Sequence, residues 1–145
     1  MYRRIVVPVD GSGASFAALD EAARLAQEQQ ASLRIVYVVD EAPVVAGSEF
    51  GDMLGVEEAE LKSAKKVLDG LSGKYPDAEI RIIETTRSGQ RVSEAIVEDA
   101  EGWGADLLVA GTHGRTGLRH LLMGSVAEGV VRAAKIPVLL VKERH

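Results

Sequence analysis

The chain has 145 residues, 46% of them hydrophobic, enough for one buried core and a single domain spanning 1–145. It contains no cysteine, which excludes disulfides and zinc-thiolate centres. Its formal charge of −5 argues against a nucleic-acid-coating face, and no apolar run approaches the roughly 20 residues that span a bilayer.

The basic start Met1-Tyr-Arg-Arg leads into an apolar run that Pro8 and Asp10 break too early for a secretory segment. The expectation is a soluble, cytoplasmic protein without membrane insertion and without a nucleic-acid partner. Five strand-like runs alternate with helical patterns. Arg4 to Val9 is the first strand, and Asp10-Gly-Ser-Gly13 turns into a helix with apolar positions Phe16, Leu19, Ala22, Ala23 and Ala26, capped by Ser12 or Ser15. Leu33 to Val39 is the second strand, rich in β-branched residues. A loop with Pro43, Gly47, Gly51 and Gly55 is expected from Asp40 to about Leu54.

A longer helix is predicted from about Val56 to Leu71. Leu61, Ala64, Val67, Leu68 and Leu71 share one face, acids precede bases on the other, and Gly73 and Pro76 mark its end. The third strand is predicted over Ile80 to Thr86, followed by a helix with Val92, Ala95, Ile96 and Ala100 facing inward. Ser88 is its expected cap, and Gly102-Trp103-Gly104 is its stop. Leu107 to Ala110 is wholly apolar, as in the centre of a parallel sheet covered on both faces. A last helix is predicted over Val126 to Ala134, and Ile136 to Val141 is the fifth strand, with Pro137 favouring an edge position. This alternation predicts an α/β fold with a mostly parallel sheet and right-handed crossovers.

In such sheets ligands bind beyond the carboxyl ends of the strands, where strand order reverses. Two ends carry unusual residues: Pro8-Val9-Asp10-Gly11-Ser12, and the segment from Gly111 to Ser125. The latter joins an apolar strand to a helix and reads Gly111-Thr-His-Gly114, nine residues, then Gly124-Ser125. Glycines admit a ligand to the backbone, and the first amides of the following helix are unpaired donors for an anion. A Walker A loop is absent, because the one glycine followed by lysine is Gly73, in a helix-terminating turn. A dinucleotide fingerprint fails at Phe16, where the third glycine of Gly11-x-Gly13-x-x-Gly would stand. Gly11 and Gly117, taken singly, read as turn residues. His113 and His120 lack nearby acidic ligands and Asp40 to Glu60 lacks the calcium-loop pattern, so no metal site held by the protein is expected. Arg115 and Arg119 are phosphate partners by chemistry, and Trp103 is read as a core or dimer contact.

These segments resemble the universal stress protein family in order and separation. The resemblance rests on Ile5-Val-Val-Pro-Val-Asp-Gly-Ser12, Gly111-Thr-His-Gly-Arg-Thr-Gly-Leu118, Gly124-Ser-Val-Ala-Glu128 and Ile136-Pro-Val-Leu-Leu-Val141, and covers essentially the whole chain. It implies a doubly wound, parallel five-stranded sheet in the order 3-2-1-4-5, with helices on both faces (adenine nucleotide alpha hydrolase-like). It also implies an ATP-binding protein (ATP, ADP or AMP, with magnesium) acting as a stress-response or signalling module. Pro8, Val9 and Asp10 would contact adenosine, Asp10 by hydrogen-bonding the ribose or helping to place a metal, and Val38 would offer backbone groups and an apolar wall to adenine. Ala110, Gly111, Thr112, His113, Gly114 and Arg115 would line ribose and phosphates. Gly124, Ser125 and Val126 would grip the tail. Ala110 is smaller than the methionine some ATP-binding members carry there.

A homodimer through the fifth strand, Ile136 to Val141, is likewise implied, and nothing in the residues names a downstream protein partner. Two other functions stay open: a slow ATP hydrolase or phosphotransferase, for which Asp10 and His113 are the only candidates by position, and a nucleotide-free interaction module. No catalytic residue is assigned, because no evident general base lies in the glycine loop.

Overall fold

The computed structural model describes residues 1–39, 50–85, 89–112 and 124–143, with backbone alone over 50–60. In chain order the elements are β1 (Arg4–Pro8), α1 (Gly13–Gln29), β2 (Ser32–Val39), α2 (Phe50–Lys74), β3 (Glu79–Glu84), α3 (Val92–Trp103), β4 (Leu107–Gly111), α4 (Ser125–Ala133) and β5 (Val138–Val141). All strand pairs are parallel, and the sheet order is β3-β2-β1-β4-β5. Helices cover both faces, as the resemblance implied.

Alternation along the central strands divides the core in two. Ile5, Val7 and Val9 of the β1 region and Leu107 and Val109 of β4 pack with Leu19, Ala22 and Ala26 of α1 and Ala64, Leu68 and Leu71 of α2. Val6, Leu108 and Ala110 face the other way, against Ile96, Val97 and Ala100 of α3 and Val130 of α4. Strands buried on both sides need apolar residues at every position, which is why β1 and β4 read as continuous hydrophobic runs.

Several boundaries differ from expectation. α2 begins at Phe50 and passes through Gly51, Gly55, Gly70 and Gly73, so glycine neither delayed its start nor ended it; it stops at Lys74, two residues before Pro76. Proline bars helical backbone in the residue ahead of it, whereas interior glycine costs about 1 kcal/mol, which packing of the apolar face offsets. The α3 N-cap is Arg91, not Ser88, which lies outside the described residues; Thr86 does too, and β3 runs from Glu79 to Glu84. Gly104, with φ +79°, closes α3 in the left-handed conformation while Gly102 sits within the helix. Ser12 is the cap of α1, accepting from Ser15 N–H at 3.2 Å. Phe16, expected inside, is exposed, because the buried stripe of α1 is Ser15, Ala18, Leu19, Ala22 and Ala26 and position 16 is turned away from it. In α4, Val130 is buried whereas Val126 and Val131 are exposed. β5 starts at Val138, after Pro137, and lies at the sheet edge.

Candidate functional site

The strand order places β1 beside β4, the adjacency needed for the two unusual strand ends to share a crevice. The β1–β4 ladder comprises Ile5 opposite Leu107 and Val6 opposite Leu108, while β1–β2 pairing continues to Pro8 opposite Val36. Pro8 has no N–H, so it cannot extend a ladder by donating. Beyond Val6 the two central strands part, and that is where Val9, Asp10, Gly111 and Thr112 stand.

Each strand end is fastened differently. Val9 N–H donates to Val36 O at 2.8 Å, holding the β1 extension against β2. An Asp10 carboxylate oxygen accepts from Ser12 N–H at 2.8 Å, and Asp10 N–H donates to Ser15 Oγ at 3.3 Å. Gly11, between them, has φ +87°, a conformation that favours glycine. Asp10 thus builds the turn into α1. At β4, a Cβ on Gly111 would lie 2.6 Å from Ala14 O and 3.0 Å from Ala14 Cβ. The first turn of α1 therefore crosses the end of β4 so closely that a side chain does not fit. Packing already demands glycine here, a role not legible from the spacing of the loop.

The long connection from β4 to α4 begins and ends at one point. Thr112 N–H donates to Val141 O at 3.0 Å, continuing the β4–β5 pairing, and Thr112 O accepts from Gly124 N–H. Gly124 is the N-cap of α4 and has no side chain to cap with. Glu128 N–H donates to Gly124 O at 2.9 Å, leaving the amides of Ser125, Val126 and Ala127 ahead of the first helical bond. Ser125 and Val126 are exposed. By contrast the start of α1 is capped by Ser12, and the Glu143 side chain lies where a Cβ on Gly13 would be, adding a carboxylate at that helix end.

Among the expected site residues, Pro8, Val9, Asp10, Ala110, Gly111, Thr112, Gly124, Ser125 and Val126 gather at the β1, β4 and α4 ends. Val38 sits in the adjacent β2, half-buried and facing the α3–α4 layer together with Ala110. Pro8 shares that sheet face by strand alternation from Val6. His113, Gly114 and Arg115 lie outside the described residues, as do Gly117, Arg119 and His120. The donor chemistry present, a hydroxyl and helix-end amides, suits phosphate oxygens, and Pro8, Val38 and Ala110 form an apolar strip beside it. No group of three or more metal-ligating side chains occurs among the described residues. No helix among them is long and apolar enough to cross a membrane. Arg91, Ser93 and Arg132, unmarked by any motif, line a cavity with Ser125 and Val126.

The family model of the universal stress protein family matches residues 1–142. A universal stress protein of Methanocaldococcus jannaschii, MJ0531, is 37% identical over 143 residues, covering 99% of this chain and 84% of that protein. Among solved structures, UspA from Lactobacillus plantarum superposes with a TM-score of 0.85 at 27% identity, covering 97% of each chain. A universal stress protein in complex with cAMP gives 0.72 at 29% identity, covering 99% of each chain. One from Archaeoglobus fulgidus in complex with dAMP gives 0.59 at 26% identity, covering 97% of this chain and 98% of that one.

Proposed function

The chain belongs to the universal stress protein family, and from that premise we propose that it is a cytoplasmic ATP-binding module of the stress response, one domain over 1–145, that holds its nucleotide more than it consumes it. The observation that carries this reading is the Gly124 N–H to Thr112 O bond, which closes the connection between β4 and α4 beside the crevice and sets Gly124, which has no capping side chain, at the start of α4. Two structural relatives in complex with cAMP and dAMP support an adenine nucleotide as the ligand class.

In this reading Pro8, Val38 and Ala110 wall the base, and Asp10 and the Gly111–Thr112 backbone meet the ribose. Gly124, Ser125 and Val126 receive the phosphates, with His113, Gly114 and Arg115 completing the phosphate side. Magnesium accompanies the nucleotide, held by phosphate oxygens and water, since it needs few protein carboxylates.

Titration calorimetry with ATP and magnesium tests the reading. Ser125→Ala removes one donor to a charged group, worth about 1.5–3 kcal/mol, or roughly ten- to a hundredfold in Kd. Gly114→Ala adds to the loss. A wild-type affinity equal to that of a Gly111, Gly114, Gly124 triple valine variant refutes the site. Sustained turnover at about 1 per second or faster favours the hydrolase instead.

We also infer a homodimer through the β5 edge. Among the described residues β5 has a strand neighbour on one side only, and Leu139 is exposed upon it. Light scattering at micromolar concentration should give twice the chain mass; a monomer mass contradicts the pairing.

A further inference from the structure

A cavity of about 450 Å³ lies between the first turns of α3 and α4. Both helices present their amino ends there. The N-caps, Arg91 and Gly124, make no side-chain capping bond. The first helical bonds run from Ala95 N–H to Arg91 O and from Glu128 N–H to Gly124 O, so the three amides ahead of each have no helical acceptor. Two helix dipoles thus bring partial positive charge to one space.

The side chains add to this. Ser93 is 5% exposed and lines the cavity, yet its hydroxyl makes no hydrogen bond among the described residues. It packs close against α4, leaving no room for a Cβ on Gly129. A hydroxyl that opens onto a cavity from an otherwise buried residue is a donor available to a polar ligand. Arg91 is exposed, on the same wall, and in no ion pair among the described residues. Arg132 is 2.8 Å from Glu128 Oε1, one turn away. Glu128 of α4 is the acid that lines this space, and Glu94 stands in the first turn of α3. Glu128 is thus the partner that a phosphate would replace at Arg132.

We propose that this cavity receives the terminal phosphates of the nucleotide, and that Arg91, Ser93 and Arg132 make the site prefer a triphosphate over a monophosphate. The inference rests on the nucleotide reading above. It deepens that reading because Ser125 and Val126, the residues assigned to the phosphate tail, are also part of the cavity wall. The α3–α4 layer covers the sheet face of Val38 and Ala110, so base wall and cavity lie on one side of the sheet. On binding, Arg132 exchanges the Glu128 carboxylate for phosphate, Arg91 closes from the α3 side, and Ser93 donates its hydroxyl proton to a phosphate oxygen.

Calorimetric titrations of ATP, AMP and inorganic tripolyphosphate into wild type, R91A/R132A, S93A and E128Q test it. R91A/R132A should weaken ATP at least tenfold and S93A about threefold, with AMP changed less than twofold in both. E128Q, which frees Arg132, should tighten ATP. Equal loss of ATP and AMP, or no loss of either, overturns the assignment while leaving the nucleotide reading standing. If wild type binds neither adenine nucleotide, that reading falls. Tripolyphosphate binding that R91A/R132A abolishes then still supports the cavity as a polyphosphate site, and its absence overturns both.

Discussion

The two ends of the sheet use charge in opposite ways. At the amino end, Arg34 of β2 is buried yet fully engaged. It meets Asp99 of α3 at 3.1 Å and Glu79 of β3 at 3.1 Å, and its guanidinium carbon stands 4.6 Å from the centre of the Trp103 ring. Arg81 adds a second cation to Asp99, and Arg4 donates to Trp103 O at 2.7 Å. Asp106 accepts from the amides of Arg3 and Arg4. At the carboxyl end, neither N-cap of α3 and α4 makes a side-chain capping bond, and the Ser93 hydroxyl lines the cavity without a hydrogen bond among the described residues. Charge that is satisfied from within ties elements together; polar groups left facing a cavity can meet a ligand. A buried polar cluster is therefore informative about function through what it leaves unpaired, not through its size.

The sharpest way to break this contrast is Arg34→Ala. It strips the principal partner from Asp99, whose side chain is 8% exposed, and removing one member of a buried pair costs about 3–5 kcal/mol. Urea unfolding should show that loss while the Kd for ATP stays within about twofold; a large change in Kd would mean the two ends are not separable. Gly111→Ala follows, at about 1–3 kcal/mol, since Ala14 is backbone of a packed helix that cannot yield cheaply. It should weaken nucleotide binding as well, because the same shift of α1 moves Asp10. Stability lost with binding intact would detach Gly111 from the site.

The smallest effect concerns acid. Burial pushes the Asp106 carboxyl upward, but hydrogen bonds from the Arg4 and Arg3 amides outweigh it and hold the group below its usual range. A carboxyl whose folded value is depressed contributes stability above its unfolded value, and that contribution disappears as pH falls through the folded one. Asp106→Asn should therefore flatten the decline in stability below about pH 4 and leave the affinity for nucleotide unchanged. An unaltered acid limb would assign the decline to other carboxylates.

What was legible beforehand followed from local chemistry. The continuous apolar runs of β1 and β4, the turn residues Asp10-Gly11-Ser12 and the stop at Pro76 are all imposed by nearest neighbours. Gly73 does not end α2, because glycine's local preference yields to burial of Ala64, Leu68 and Leu71, and the start at Phe50 lies in a stretch whose Pro and Gly residues read locally as a loop. Residue type alone favours Ser88 as the cap of α3, and nothing local marks Arg91, the N-cap, or Ser93 near it. Arg34 stood in plain view inside an apolar strand, a charge that calls for partners, but those partners are at 79 and 99.

The sequence by itself determined the alternation of strands and helices, the absence of thiol chemistry and, through the glycine and Val-Pro-Val-Asp segments, the family. Pattern and composition are properties of short stretches, so they survive without coordinates. Tertiary structure decided the rest. It parted β1 from β4 beyond Val6, set α1 against Gly111, joined Thr112 to Gly124, and aimed the ends of α3 and α4 at one cavity. Each of these joins residues far apart along the chain, whose meeting depends on how the layers pack and cannot be read from either segment alone.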